Sequence, residues 1–247
     1  MNHEKYMARF DATGLEEISL ASLTELQQLH MYNIPFENLD VMYRSPIYLD
    51  LSKFYKKLVE NHRGGFCYEL NGLFTWLLKK LGYNARMVAG TVNTPDRGWV
   101  KKDSHVAIIV ELDQPYLVDV GFGDSFRQPL TLDGKEYRDI SGTYKIKLQS
   151  DHYFDLIRKE ESANLTLYRF SDLERELSFF YRGCVFHQVS PDSNLTKRDM
   201  ATIATKDGRI TLTGSVLTIT GNGEKNKKEV SDGEKSAVLK EYFGIIM

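Results

Sequence analysis

At 247 residues, 42% hydrophobic and 27% charged, the chain is long enough for one large folded unit or for two to three small lobes that share contacts. Its formal net charge of -2 lacks the basic excess that marks nucleic-acid binding, and no apolar run approaches the roughly 18 residues of a membrane span. The polar start Met1-Asn2-His3-Glu4-Lys5-Tyr6 has no signal-peptide core, so the two cysteines, Cys67 and Cys184, are expected to be thiols in a cytoplasmic protein.

The first third reads as helical. Ser22-Leu23-Thr24-Glu25 fits a capping box, and Leu23, Leu26 and Leu29 follow on one face of a short helix that Pro35 closes. A second helix starts near Ser52, with Phe54, Leu58 and Val59 inward and Lys56 and Lys57 solvated. It stops before Gly64-Gly65. A third runs over 67–81 with an apolar stripe of Leu70, Phe74, Leu77, Leu78 and Leu81, and Gly82 stands where a C-terminal glycine cap belongs. From Ala85 the period changes. Segments 85–92, 105–111, 116–120, 144–148, 153–158 and 165–170 are short and β-rich, which predicts an antiparallel sheet or barrel. A short helix is expected over 172–181, then strands over 209–212 and 215–220, a turn at Gly221-Asn222-Gly223 and a last helix over 234–243. The lysines of 225–228 read as a solvated hairpin tip.

The segment Arg63-Gly64-Gly65-Phe66-Cys67-Tyr68-Glu69-Leu70-Asn71 carries the chemistry. Two glycines let another group approach the backbone closely, and Cys67 falls at a helix N-terminus. Free amides and the helix dipole favour a thiolate there and are expected to lower its pKa, and the same amides can hold the oxyanion formed on attack at a carbonyl. A buried, inert cysteine is the plainer alternative. A thiolate needs a base and an orienter. His105 opens the apolar run Val106-Ala107-Ile108-Ile109-Val110, and Asp119 lies within Leu117-Val118-Asp119-Val120, where a buried carboxylate demands a partner. If the two runs form a hairpin turning near Leu112, His105 falls opposite Asp119; if it turns at Asp113-Gln114, a bulge must correct the register. His105 then takes the Cys67 proton and Asp119 holds the imidazole. Gly121-Phe122-Gly123 follows, with glycines that let a ligand pass close to the backbone and Phe122 as a pocket wall.

Taken together, Arg63-Gly64-Gly65-Phe66-Cys67, Ser104-His105-Val106, Val118-Asp119-Val120-Gly121-Phe122-Gly123, Pro35-Phe36-Glu37-Asn38-Leu39 and Asp207-Gly208-Arg209-Ile210-Thr211-Leu212 resemble the bacterial type of the arylamine N-acetyltransferase family, in the family's order over almost the whole chain. The resemblance implies an α+β, papain-like cysteine-triad fold. Its parts are a helical bundle (1–84) with Cys67, an antiparallel β-barrel (85–187) with His105 and Asp119, and an α/β lid (188–247). It implies acetyl-CoA as donor, no metal, and arylamines, arylhydrazines or N-hydroxyarylamines as acceptors, in ping-pong turnover through Cys67. Phe122, Val92 and Phe36 match acceptor positions, while Gly121, Gly123 and Ser104 are candidates for CoA contacts. Arg63 and Glu37 are expected to form a bracing ion pair. His62 is expected in solvent, Cys184 in the core, and His187 without an evident partner; an oligomer is compatible with all of this. A papain-like peptidase, amidase or transglutaminase is the rival enzyme, and an unreactive binding module the rival non-enzyme.

Overall fold

The computed structural model describes residues 1–160 and 163–246. Helices come first: α1 (His3–Arg9), α2 (Leu20–Asn33), the short strand β1 (Phe36–Glu37), α3 (Leu39–Met42), α4 (Leu51–Tyr55) running on as a π-helical turn over Lys56–Glu60, and α5 (Cys67–Lys80). The cap of α2 lies one turn earlier than the capping-box pattern predicts. Ser19 is extended and accepts from the Ser22 amide, so Ser22 sits inside the first turn and cannot itself be the cap. Helix α5 matches its expected span, and Gly82 follows it at φ +93°, the left-handed conformation that a glycine adopts without penalty.

Nine strands follow: β2 (Asn84–Thr94), β3 (Gly98–Trp99), β4 (His105–Glu111), β5 (Pro115–Val118), β6 (Leu130–Thr131), β7 (Tyr137–Asp139), β8 (Gly142–Ser150), β9 (Tyr153–Lys159) and β10 (Asn164–Glu174). Among the described residues they form one antiparallel sheet in the order β6-β5-β4-β2-β10-β9-β8-β7, with β3 on β2. The sheet curls until β6 approaches β8, a nearly closed barrel. Strand β4 is buried on both faces. Val106, Ile108 and Val110 join the core around α5, while Ala107 and Ile109 join the barrel interior with Leu117, Leu156 and Phe170. That double burial is why the run reads as continuously apolar rather than alternating. The helix expected over 172–181 begins later. Strand β10 stays on the sheet to Glu174, which pairs with Val88 beyond a bulge, and only then come a 3-10 turn (Leu177–Phe180) and α6 (Tyr181–Val189).

The last part is β11 (Met200–Thr205), β12 (Gly208–Thr213), β13 (Val216–Gly221), β14 (Glu224–Glu229) and α7 (Lys235–Phe243). Its sheet runs β1-β11-β12-β13-β14, so the N-terminal region supplies one edge strand, Phe36 pairing with Thr202. Val238, Leu239 and Phe243 of α7 cover its inner face. The turn is Asn222-Gly223, and the lysines of 225–228 lie in β14 itself, exposed along the open edge, where charge discourages pairing with another chain. Among the described residues no helix is long and apolar enough to cross a membrane.

Candidate active site

Cys67 opens α5 after a loop held from behind. A Cβ on Gly64 would lie 2.1 Å from the Pro35 carbonyl oxygen, so close approach, not an unusual backbone angle, demands glycine there. The Glu37 amide donates to the Gly65 carbonyl at 2.9 Å, and Phe66 donates to the Glu69 carboxylate at 3.1 Å, capping the helix. Arg63 bonds Glu37 at 2.7 Å, the expected brace, and reaches Asp40 at 3.1 Å. Lys57 is not solvated as expected. Its ammonium, only 12% exposed, meets Asp40 at 2.8 Å and Glu69 at 3.0 Å. Helical periodicity placed it outward, but the π-turn rotates it under the loop. Burial works against its charge, yet Glu69, Glu37 and Asp40 hold Lys57 protonated. Three carboxylates face two cations, and burial pushes Glu69 up to about 7 despite Lys57.

The thiol of Cys67 is itself buried. Burial first, then the charge of Asp119, push it well above its ordinary range, while the amides of Val106 and Tyr68 facing the sulfur work the other way. The helix-start amide is therefore present, but the expected net lowering is not, because loss of water outweighs it.

His105 and Asp119 meet at the barrel end. The β4–β5 hairpin centres on Asp113, with Glu111 opposite Pro115 and Ile108 opposite Val118. Asp119, just past the end of β5, thus falls two positions short of the point opposite His105, an even offset that keeps both on the same face, and no bulge is needed. The imidazole reaches across: Nε2 lies 2.7 Å from Asp119 Oδ2, which leaves Nδ1 for a thiol. Asp119 also accepts from the Tyr168 hydroxyl at 3.0 Å, from Asn71 Nδ2 at 2.8 Å and from the Gly121 amide at 2.8 Å. Four donors satisfy a carboxylate that is 1% exposed. Sequence reasoning assigned nothing to Asn71 or Tyr168. Asn71 stands one helical turn after Cys67, a signal that was available; Tyr168 comes from β10 with no local cue.

Cys67, His105 and Gly121 border one cavity of about 210 Å³, together with Phe36, Val92, Phe122 and Ser104. Phe122 and Tyr168 pack on the His105 ring at 5.4 and 4.9 Å between centroids. Gly123 is set back from it, near Thr202 and Phe36. A Cβ on Gly121 would come within 2.8 Å of Cys67 Cα, so this glycine makes room for α5 itself. His187, expected to be partnerless, lines the same cavity and has two partners, Ser193 Oγ and the Ser104 carbonyl, each at 2.9 Å. Cys184 is buried, its thiol pushed up to about 12 by burial, and His62 is exposed. Among the described residues no group of three His, Cys, Asp or Glu side chains could hold a metal ion.

A buried cysteine and a carboxylate-bound histidine that line one mostly apolar cavity are an arrangement compatible with acyl transfer. The family model described as N-acetyltransferase matches residues 19–247. The chain is 32% identical to the arylamine N-acetyltransferase pineal gland isozyme NAT-10 of Gallus gallus, covering 100% of this chain and 95% of that protein. It superposes with a TM-score of 0.94 on an arylamine N-acetyltransferase of Bacillus cereus, 25% identical with full coverage of both chains, which is described as having a unique Cys-His-Glu catalytic triad. Here the carboxylate on the histidine is an aspartate. The Mycobacterium marinum arylamine N-acetyltransferase in complex with CoA superposes with a TM-score of 0.90 at 31% identity, covering 99% of this chain and 93% of that one. The chain belongs to the arylamine N-acetyltransferase family, an α+β acyltransferase of that fold.

Proposed function

We propose that the protein transfers an acetyl group from acetyl-CoA to the nitrogen of arylamines and arylhydrazines, or to the oxygen of N-hydroxyarylamines, in ping-pong turnover through an acetyl-Cys67 thioester. The observation that carries the reading is the 2.7 Å bond between His105 and Asp119 on the wall of the cavity that Cys67 also lines. His105 Nδ1 takes the thiol proton. The thiolate attacks the acetyl carbonyl, the bond from that carbon to the CoA sulfur breaks, and the departing CoA thiolate receives the proton from the imidazolium. In the second half, the acceptor nitrogen attacks the acetyl-Cys67 carbonyl and gives its proton to His105. The thioester then breaks, and the proton returns to sulfur.

A raised thiol pKa is compatible with this step. Moving the proton from Cys67 to His105 leaves the net charge of the three groups unchanged, and Asp119 stabilises the imidazolium so formed. The Tyr68 and Val106 amides stabilise negative charge on the sulfur. Phe122, Val92 and Phe36 supply apolar walls for an aromatic ring, while Ser104 and Gly121 border the path of the thioester; Gly123 acts at one remove by shaping the loop. In our reading residues 1–84 present the nucleophile, 85–187 the base and its carboxylate, and 188–247 the outer wall. Two free thiols favour a cytoplasmic setting.

The test is intact-mass measurement of the protein mixed with acetyl-CoA alone, with Cys67→Ala alongside. One added acetyl group that vanishes when an arylamine is supplied is the expected result. No adduct and no CoA release, with amine present, would overturn the reading in favour of peptide or amide substrates.

A further inference from the structure

We propose that His187 is a positioning residue that ties the outer wall of the acceptor cavity to the catalytic strand and thereby sets affinity for the aromatic acceptor; the proposal rests on the function argued above. With a neutral imidazole the bonds have one possible direction. The Ser104 carbonyl can only accept, so His187 Nε2 carries the hydrogen across 2.9 Å. Nδ1 is then an acceptor, and the Ser193 hydroxyl must donate to it across 2.9 Å. Ser193 Oγ in turn accepts from the Leu195 amide at 3.1 Å. The chain therefore runs from Leu195 through Ser193 and His187 to Ser104, and it requires a neutral imidazole. Burial supplies that neutrality by pulling the ring down to about 4, against the Ser104 carbonyl.

Both ends of this chain are functional. Ser193 and Leu195 line the cavity, as His187 does. At the other end, Ser104 immediately precedes His105, and its carbonyl also receives the hydroxyl of Tyr68, the neighbour of Cys67, at 2.6 Å. One carbonyl thus collects the residue after the nucleophile, the residue before the base, and the tie to the wall. Among the described residues, two other side chains from outside the segment over 190–197 hydrogen-bond to it, and Leu195 also packs on the main core. Exposed Arg97 reaches the Asp192 carbonyl and Asn194, and Asn38 reaches the Leu195 carbonyl at 2.8 Å. Neither ends on the catalytic strand. Cutting the His187 link frees the wall to shift while the triad bonds, made through Asp119, stay in place. A flat aromatic acceptor that must fill the cavity is sensitive to that shift. The thioester that loads Cys67 is less so.

The experiment separates the half-reactions in His187→Ala, His187→Gln and Ser193→Ala. Acetylation of Cys67 is followed by rapid-quench intact mass, and steady-state KM is measured with 4-chloroaniline as acceptor. In His187→Ala and Ser193→Ala we expect the acetylation rate within about threefold of wild type and the acceptor KM raised about tenfold. In His187→Gln, whose amide can still donate to the Ser104 carbonyl, much of the KM should return. If His187→Ala does not fold, Ser193→Ala, which removes only one hydroxyl, carries the test unaided. An unchanged acceptor KM in the variants that fold, or an equal loss in both half-reactions, would overturn the role of His187. A wild-type protein that never gains an acetyl group would overturn the underlying mechanism instead.

Discussion

Asn71 donates to Asp119 across 2.8 Å, so a single hydrogen bond joins the helix that begins with Cys67 to the carboxylate that holds His105. The same amide nitrogen reaches the Val106 carbonyl at 2.7 Å, and Asn71 Oδ1 accepts from the Val120 amide at 2.9 Å. One side chain, fully buried, therefore fixes α5 against both β4 and the segment after β5. Helix packing alone leaves sliding freedom along apolar ridges; three directional bonds at one point remove it.

Replacing Asn71 with Ala should lower stability as well as activity. The change strands a buried amide at Val120 and deprives the Asp119 carboxylate of a donor. A loss of about 2–4 kcal/mol is expected on the scale of unsatisfied buried polar groups. Urea unfolding followed by fluorescence gives the number. A loss below about 0.5 kcal/mol would mean that the network has other support.

Asp119→Asn is a test of chemistry more than of folding. The new amide keeps the shape but meets four groups that donate or are bound as donors, and it cannot balance an imidazolium. We expect kcat/KM to fall by about 10³–10⁴-fold, the scale of the aspartate in hydrolase triads. Tyr168→Phe removes just one of the four donors and should cost only about 10-fold, by the strength of a hydrogen bond to a charged group. Near-normal turnover in Asp119→Asn would remove Asp119 from the mechanism.

Much of this arrangement was legible beforehand, for specific reasons. Helix α5 announces itself through its apolar stripe and Gly82, and β4 through an unbroken apolar run opening at His105. These are periodic, local signals. The hairpin register was open because a turn of three residues between Glu111 and Pro115 cannot be told from its neighbours by composition. Tyr168 was invisible since its contact with Asp119 is made by a strand 49 residues away. Lys57 was misread because amphipathic reasoning assumes a 3.6-residue turn, which the π-turn breaks. His187 was passed over because both its partners depend on how α6 docks against the loop before β4.

The buried charge cluster behind the loop gives a prediction of its own. Lys57→Met leaves Glu37, Asp40 and Glu69 facing Arg63 alone. Removing one partner of a buried ionic network costs about 3–5 kcal/mol. The double variant Lys57→Met/Glu69→Gln takes away, at the same time, the buried carboxylate that Lys57 meets at 3.0 Å. It should recover at least half of the loss in urea unfolding at pH 8. If the two changes are instead additive, Lys57 does not act through Glu69.

His30 predicts how the fold responds to acid. It is fully buried between Tyr6, Phe10 and Phe74, with the Tyr6 hydroxyl 2.8 Å from Nε2. Burial, and secondarily Arg9, pull it down to about 3, against an ordinary histidine value near 6.5. Between those values the unfolded chain holds a proton on this residue that the folded chain does not. Stability from this group is therefore complete above about pH 6.5 and declines as pH falls toward 3. His30→Gln keeps a polar partner for Tyr6 but does not titrate, so its stability should fall less steeply over the same window. The measurement is the unfolding free energy of both proteins at pH 7.5 and pH 4.5. At 2.303RT per pH unit and per proton, acting over the two units from about 6.5 to 4.5, the wild type should lose about 2.7 kcal/mol more than the variant between them. Equal losses would mean that His30 gains its proton in the folded state without resistance, and that the packing around it opens in acid before the protein unfolds.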